Sequence, residues 1–142
     1  MSNYIIKQSN WESDKQLLSD IRREVFIKEQ HVPEELEWDE FDEIAQHVLA
    51  FNSESQAVGT GRIKKDGHVG RMAVLKKYRH QGVGSAILLA LVDVAKKQKL
   101  EKLYLHAQVD AIPFYIGHGF VCEGDEFLDA GIPHKTMCKN LS

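Results

Sequence analysis

Arg79-His80-Gln81-Gly82-Val83-Gly84 is the stretch whose reading decides the fold. It stands where the hydrophobic period changes. Upstream, His68–Leu75 reads as a strand; downstream, Ile87, Leu88, Leu91, Val92 and Ala95 recur at helical spacing and predict a helix from about Gly82 to Gln98. A strand that turns into a helix through such a loop leaves free backbone N–H groups at the positive end of the helix dipole, where an anion such as a diphosphate binds. Glycines at 82 and 84 let the backbone approach phosphates closely, and Arg79 can add a charge-assisted contact. Two other phosphate loops do not fit. There is no G-K-S/T of a P-loop, and the third glycine of a dinucleotide-binding loop is replaced by Ile87. On its own the loop is also compatible with a glycine turn that binds nothing.

Working outward, His47–Phe51, Gln56–Lys64 and His68–Leu75 are strand-like runs separated by Asn52-Ser53-Glu54-Ser55 and Asp66-Gly67, a pattern that predicts an antiparallel meander. A short strand at Tyr4–Lys7 precedes an amphipathic helix from Trp11 to Lys28, with Leu17, Leu18, Ile21, Val25 and Phe26 on its apolar stripe. Pro33 ends that region, and Trp38 and Phe41 at i, i+3 predict a short helix pinned to the domain. Beyond the central helix, Leu103–Ala107 reads as a buried strand. Asp110 is the expected N-cap of a helix from Ala111 to His118, with Pro113 in its first turn and Gly119 as its stop. Strands at Phe120–Phe127 and Thr136–Lys139, joined by a loop containing Gly131-Ile132-Pro133-His134, complete the chain.

The 142 residues fit one domain, 1–142, and 43% hydrophobic residues with 27% charged ones of mixed sign fit a folded, non-fibrous protein. No stretch resembles a membrane span or a signal peptide, so the expected location is the cytoplasm. A net charge of −3 with scattered basic residues argues against nucleic acid as a partner. The acidic run Glu34 to Glu43 either attracts a cationic substrate or is a solvated segment. Cys122 and Cys138 are expected as buried free thiols. Neither they nor the seven histidines have metal-ligand spacing, so no metal is expected.

A second motif at a distance makes a resemblance specific. Val69-Gly70-Arg71-Met72-Ala73-Val74-Leu75 followed by Arg79-x-x-Gly82-x-Gly84 resembles motif A of the GNAT acetyltransferase superfamily, and Ala111-x-x-Phe114-Tyr115-x-x-x-Gly119-Phe120 resembles its motif B. Arg23, Val25, Phe26, Glu29 and Gln30, with His106-Ala107-Gln108 and Gly131-Ile132-Pro133-His134, are similar to its ElaA/YjcF-like branch. The resemblance implies an α/β (α+β) GNAT fold: a single mixed, largely antiparallel sheet of six to seven strands flanked by helices and splayed between the fourth and fifth strands. Pantetheine would lie in that gap. The backbone of Met72, Ala73 and Val74 would pair with its amides, and an N–H near Val74 would face the thioester oxyanion. The resemblance assigns the pyrophosphate to Arg79, His80, Gln81, Gly82, Val83, Gly84 and Ser85. Gln108 stands where the family commonly has Asn and would reach the pantetheine arm. Tyr115 matches the general acid beside the departing sulfur. An unperturbed phenol near 10 and thiol near 8.5 make complete proton transfer cost roughly 2 kcal/mol, so hydrogen bonding to the thiolate matters more.

The expected function is therefore that of an acyl-CoA-dependent N-acyltransferase (a transferase of groups other than aminoacyl groups). It would move acetyl from acetyl-CoA, as co-substrate, to a primary amine on a small molecule or protein by direct attack in a ternary complex. A homodimer is among the assemblies this allows. The base is open among Glu29, Asp39, Asp42, His47 and His106, while His134 could instead orient the last loop. The alternative is a non-catalytic acyl-CoA-binding or sensor module; a third reading is an interaction domain whose loop binds nothing.

Overall fold

The computed structural model describes residues 3–141. Its seven strands are β1 (Ile5–Ser9), β2 (Gln46–Phe51), β3 (Ala57–Ile63), β4 (His68–Val74), β5 (Lys102–Gln108), β6 (Val121–Asp129) and β7 (Ile132–Asn140). They form one sheet in the order β1-β2-β3-β4-β5-β7-β6. All neighbours are antiparallel except β4 and β5, which run parallel. The mixed, largely antiparallel sheet expected from the sequence is what the chain adopts.

Two helices sandwich the first four strands. Helix α1 (Trp11–Arg22) brings Leu18 and Ile21 onto Leu49 and Ala73, while α3 (Val83–Lys97) brings Ile87, Leu88 and Leu91 onto Val48, Ala50 and Val58. Leu49 alternates with Val48 and Ala50, so the two clusters lie on opposite faces of the sheet. Helix α3 sits unusually close to β3. A Cβ at Gly59 would fall 2.8 Å from Ile87 Cδ1, and one at Gly61 2.9 Å from Leu91 Cδ1, so both glycines are needed for this contact. Leu17, placed on the apolar stripe by its spacing, is 39% exposed.

Several expectations need correction. The helix from Trp11 does not continue as α-helix to Lys28: Arg23–Glu29 is π-helical, with Gln30 N–H bonded to Val25 O at 3.1 Å. The single helix around Trp38 and Phe41 is two short pieces, α2 (Glu34–Glu37) and a 3₁₀ turn Glu40–Glu43, because Asp39 takes extended backbone and caps the second with a capping box to Asp42. Asp110 lies inside a 3₁₀ turn (Val109–Ala111) ahead of α4 (Ile112–Gly117) and makes no side-chain cap. Pro113 does occupy the first turn of α4, and Gly119, at φ 88°, closes it with its N–H on Ile116 O.

The expected loop at Gly131–His134 is mostly strand. The turn is confined to Ala130 and Gly131, both at positive φ, and β7 begins at Ile132. Pro133 is tolerated there because the β5 pairing stops at Gln108↔His134, so at Pro133 one edge of β7 has no ladder to donate to. Cys138 is buried as expected, but Cys122 is exposed. No helix among the described residues is long and apolar enough to cross a membrane.

Candidate active site

The loop before α3 is built for close approach. Gly82 sits at φ 85°, and a Cβ there would meet nothing within 4 Å, so its backbone faces open space. The first bond entering the helix is Ala86 N–H to Gly82 O at 3.1 Å, which leaves the N–H groups of residues 82–85 at the helix end without intrahelical acceptors. Gly84 faces α4 instead, where a Cβ would stand 3.6 Å from Phe114 Cζ, an ordinary contact. Around the loop, His80 is left-handed at φ 63°, Gln81 accepts from the Tyr4 hydroxyl, and Ser85 Oγ is 2.9 Å from His118 Nε2. Arg79 is turned to protein partners. Its Nη1 and Nη2 donate to Glu29 at 2.6 and 2.7 Å, and its Nε donates to Val74 O at 2.8 Å. These bonds from Arg79 hold the Glu29 carboxyl below its usual range, which makes it a poor base.

The gap between β4 and β5 follows from a bulge. Gly59 and Thr60 of β3 pair with Val74 and Ala73, but Arg62 pairs with Gly70, so Arg71 and Met72 together oppose Gly61. Arg71 is at φ 51°, the left-handed conformation of a bulged residue. The β4–β5 ladder has only His68↔Tyr104 and Val69↔Leu105, and it ends immediately before the bulge. The two strands therefore part and open a cleft of about 340 Å³, lined among others by Met72, Leu105, His106, Gln108 and Tyr115. Gln108 Nε2 donates across the cleft mouth to Gln30 Oε1 at 2.7 Å.

Tyr115 reaches this cleft from α4. Its hydroxyl donates to Met72 Sδ at 3.6 Å, and its ring packs edge-on against Phe114 and Phe120. Burial pushes the phenol up to about 12, so it stays protonated. Against a thiol near 8.5, complete transfer of its proton would cost roughly 5 kcal/mol, more than the unperturbed values suggest. Hydrogen bonding is the role open to it.

The acidic run divides: Glu34, Glu35, Glu40 and Glu43 are exposed, while its other carboxylates turn inward. Glu37 and Asp42 are buried with Arg22 and Arg62, and half-buried Asp39 and Arg71 complete a set of three carboxylates and three guanidiniums. Arg22 bridges Glu37 at 2.8 Å and Asp42 at 2.6 Å; Arg62 bridges Asp39 at 2.7 Å and Asp42 at 2.8 Å. Burial opposes ionisation of Asp39 and Asp42, but the arginines outweigh it and both carboxyls lie below their usual range. His47 is stacked on Trp11 with its Nε2–H on Asp42 O at 2.9 Å, and burial lowers its pKa. Spacing gave no sign of this network, since Arg22 and Asp42 are twenty positions apart. The candidates the cleft does gather are His106 and His134, joined by His68, which sequence reasoning did not single out.

A mixed sheet split at a bulged strand, with an open helix N-terminus beside the split and a protonated phenol in it, is the framework of an acetyltransferase. The chain belongs to the GNAT family: residues 8–141 match the Acetyltransferase (GNAT) domain. It is 42% identical to YyaT of Bacillus subtilis (strain 168), over 96% of each chain, and 44% identical to the uncharacterized N-acetyltransferase YjcF of the same organism, over 84% of this chain and 88% of that one. The crystal structure of Escherichia coli ElaA superposes with a TM-score of 0.85 at 23% identity, covering 95% of this chain and 99% of that one, a likeness of fold.

Proposed function

We propose that this protein transfers acetyl from acetyl-CoA to a primary amine by direct attack in a ternary complex. The observation that carries the reading is the termination of the β4–β5 ladder at Val69↔Leu105 by the bulge at Arg71, which leaves an open strand edge leading toward the loop at Gly82. GNAT relatives bind acetyl-CoA, and the residues here fit such a ligand. The open space over Gly82 admits a phosphate to the N–H groups of residues 82–85. His80, Gln81, Val83 and Ser85 shape that loop, while Arg79 anchors it through Glu29 and Val74 O. The freed edge of Met72, Ala73 and Val74 supplies donors and acceptors for pantetheine amides, with Gln108 Oε1 opposite. A backbone N–H near Val74 aimed at the thioester oxygen would contribute a factor of about 10²–10³. Tyr115 donates a hydrogen bond to the sulfur as it leaves.

Two measurements test this. Calorimetry with acetyl-CoA should give saturable binding, and absence of heat at millimolar ligand would remove the reading. Thiol release from acetyl-CoA should then be followed across a panel of primary amines. Tyr115→Phe is expected to lower kcat roughly 10²-fold with little change in acetyl-CoA affinity; unchanged turnover would take the hydroxyl out of the mechanism. Binding without thiol release from any amine would leave an acyl-CoA-binding module.

A further inference from the structure

On β5, Leu103, Leu105 and Ala107 are buried in the core under α3, so Tyr104, His106 and Gln108 point to the opposite face. Tyr115 and Met72 pack against the α3-side core. The split sheet thus carries the phenol on one face and an imidazole, His106, on the other. Beyond the end of the ladder, the residue of β4 level with His106 is Gly70. A Cβ at Gly70 would meet nothing within 4 Å, and its backbone is not in the left-handed region, so neither packing nor conformation requires glycine there. Both residues line the cleft.

We propose that the space over Gly70 receives the acceptor amine and that His106 is the base that takes its proton. This rests on the acyl-transfer reading above. Of the other carboxylates in the cleft or among the sequence candidates, Asp129 lines the cleft but is exposed on the outer strand, and the rest are held by arginines. Glu29 is held by Arg79, Glu37 by Arg22 and Arg71, and Asp39 and Asp42 by Arg62. His47 is bonded to Asp42 O and lies outside the cleft lining; His134 Nδ1–H donates to Ile132 O at 2.6 Å and leaves Nε2 as an acceptor, so His134→Gln is the control variant and should keep both rate and pH profile. His68 lies face to face with Tyr104, ring centroids 4.7 Å apart, and burial with nearby Lys64 and His106 drops it to about 4, too weak a base for this step. Neither ring nitrogen of His106 bonds to protein among the described residues; its ring contacts are His68, Tyr104 and the edge of Phe127. Burial lowers its pKa, Asp129 opposes that, and His134 and Lys64 add to it, so the imidazole is neutral at pH 7.

The ammonium form of the acceptor first gives one proton to solvent. As the neutral amine nitrogen bonds to the thioester carbonyl carbon, a second N–H proton passes to His106, the C–S bond breaks, and the sulfur leaves as thiolate hydrogen-bonded by Tyr115. The His106 proton then neutralises the thiolate through water, giving amide, free CoA thiol and one proton released in all.

The test uses the whole chain. In protein labelled at histidine Cε1 and loaded with CoA, n-butylamine should move the His106 resonance and leave that of His47 in place, and Gly70→Val should abolish that movement. With the best amine of the panel, His106→Gln should lower kcat/KM about 10²-fold or more and reduce the slope of the acid limb of log kcat/KM against pH from about two to about one, leaving only the ionisation of the amine itself. A His106 signal indifferent to amine, or a His106→Gln profile keeping the steeper limb and its rate within threefold, overturns the assignment while leaving acyl transfer intact. Failure of CoA to bind overturns the parent reading instead.

Discussion

The two ends of the cleft are built from different materials. The end we assign to the acyl donor is backbone: a left-handed glycine at 82, a helix N-terminus and the freed edge of a bulged strand. The end we assign to the acceptor is side chain: His68 stacked on Tyr104 and His106 edge-on to Phe127, roofed by α2 and the turn behind it, which the buried arginines hold in place. A backbone site tolerates almost any neighbours that keep the chain path. A side-chain site depends on partners far apart in sequence, and it can vary while the donor end stays the same.

That contrast can be broken most forcefully at Arg22. Arg22→Ala removes the guanidinium that joins Glu37 to Asp42, leaving Arg71 alone on the first and Arg62 on the second, and should cost about 3 kcal/mol of stability, read by chemical denaturation. A loss below 1 kcal/mol would mean that the roof is not held by this network. Gly82→Val should act at the other end. A β-branched residue at φ 85° is strained and intrudes on the phosphate approach, so the Kd for CoA should rise about tenfold with a stability cost of about 1–2 kcal/mol. Equal affinity in calorimetry would move the phosphate elsewhere. The mildest effect concerns pH. The folded state keeps His47 neutral by burial, so this group's contribution to stability is present above the ordinary imidazole value of about 6.5 and is lost as pH falls below it toward the lowered folded value. His47→Gln should flatten the slope of stability against pH in that window; an unchanged slope would assign it to other groups.

The same division explains what could be read in advance. The strand–loop–helix at residues 68–98 was legible because glycines, a change of period and an aromatic pair at 114–115 are local signals. The mixed sheet and its split between the fourth and fifth strands came through the family resemblance those signals supported; that β4 and β5 run parallel is seen only in the structure. The acidic run was legible for its exposed members, Glu34, Glu35, Glu40 and Glu43, but not for Glu37, Asp39 and Asp42, because only the fold brings Arg22, Arg62 and Arg71 onto those three. Asp110 has the chemistry of an N-cap but falls inside a preceding turn. Pro133 looked like a loop residue because its position, on a stretch of β7 past the end of β5, is a property of the sheet's outline.

The π-helical turns at Arg23–Glu29 deserve a reading in terms of chain length. A π turn is an α-helix with one residue too many, and each residue swings the following side chains by about 100°. The surplus residue is what lets consecutive positions serve different strands, Glu29 reaching the loop at Arg79 and Gln30 reaching Gln108. Deleting one residue from this segment would relax it to ordinary helix and turn both away together. The register between donor loop and acceptor roof is thus stored in a count of residues, which substitution can erode gradually but a single deletion would erase in one step.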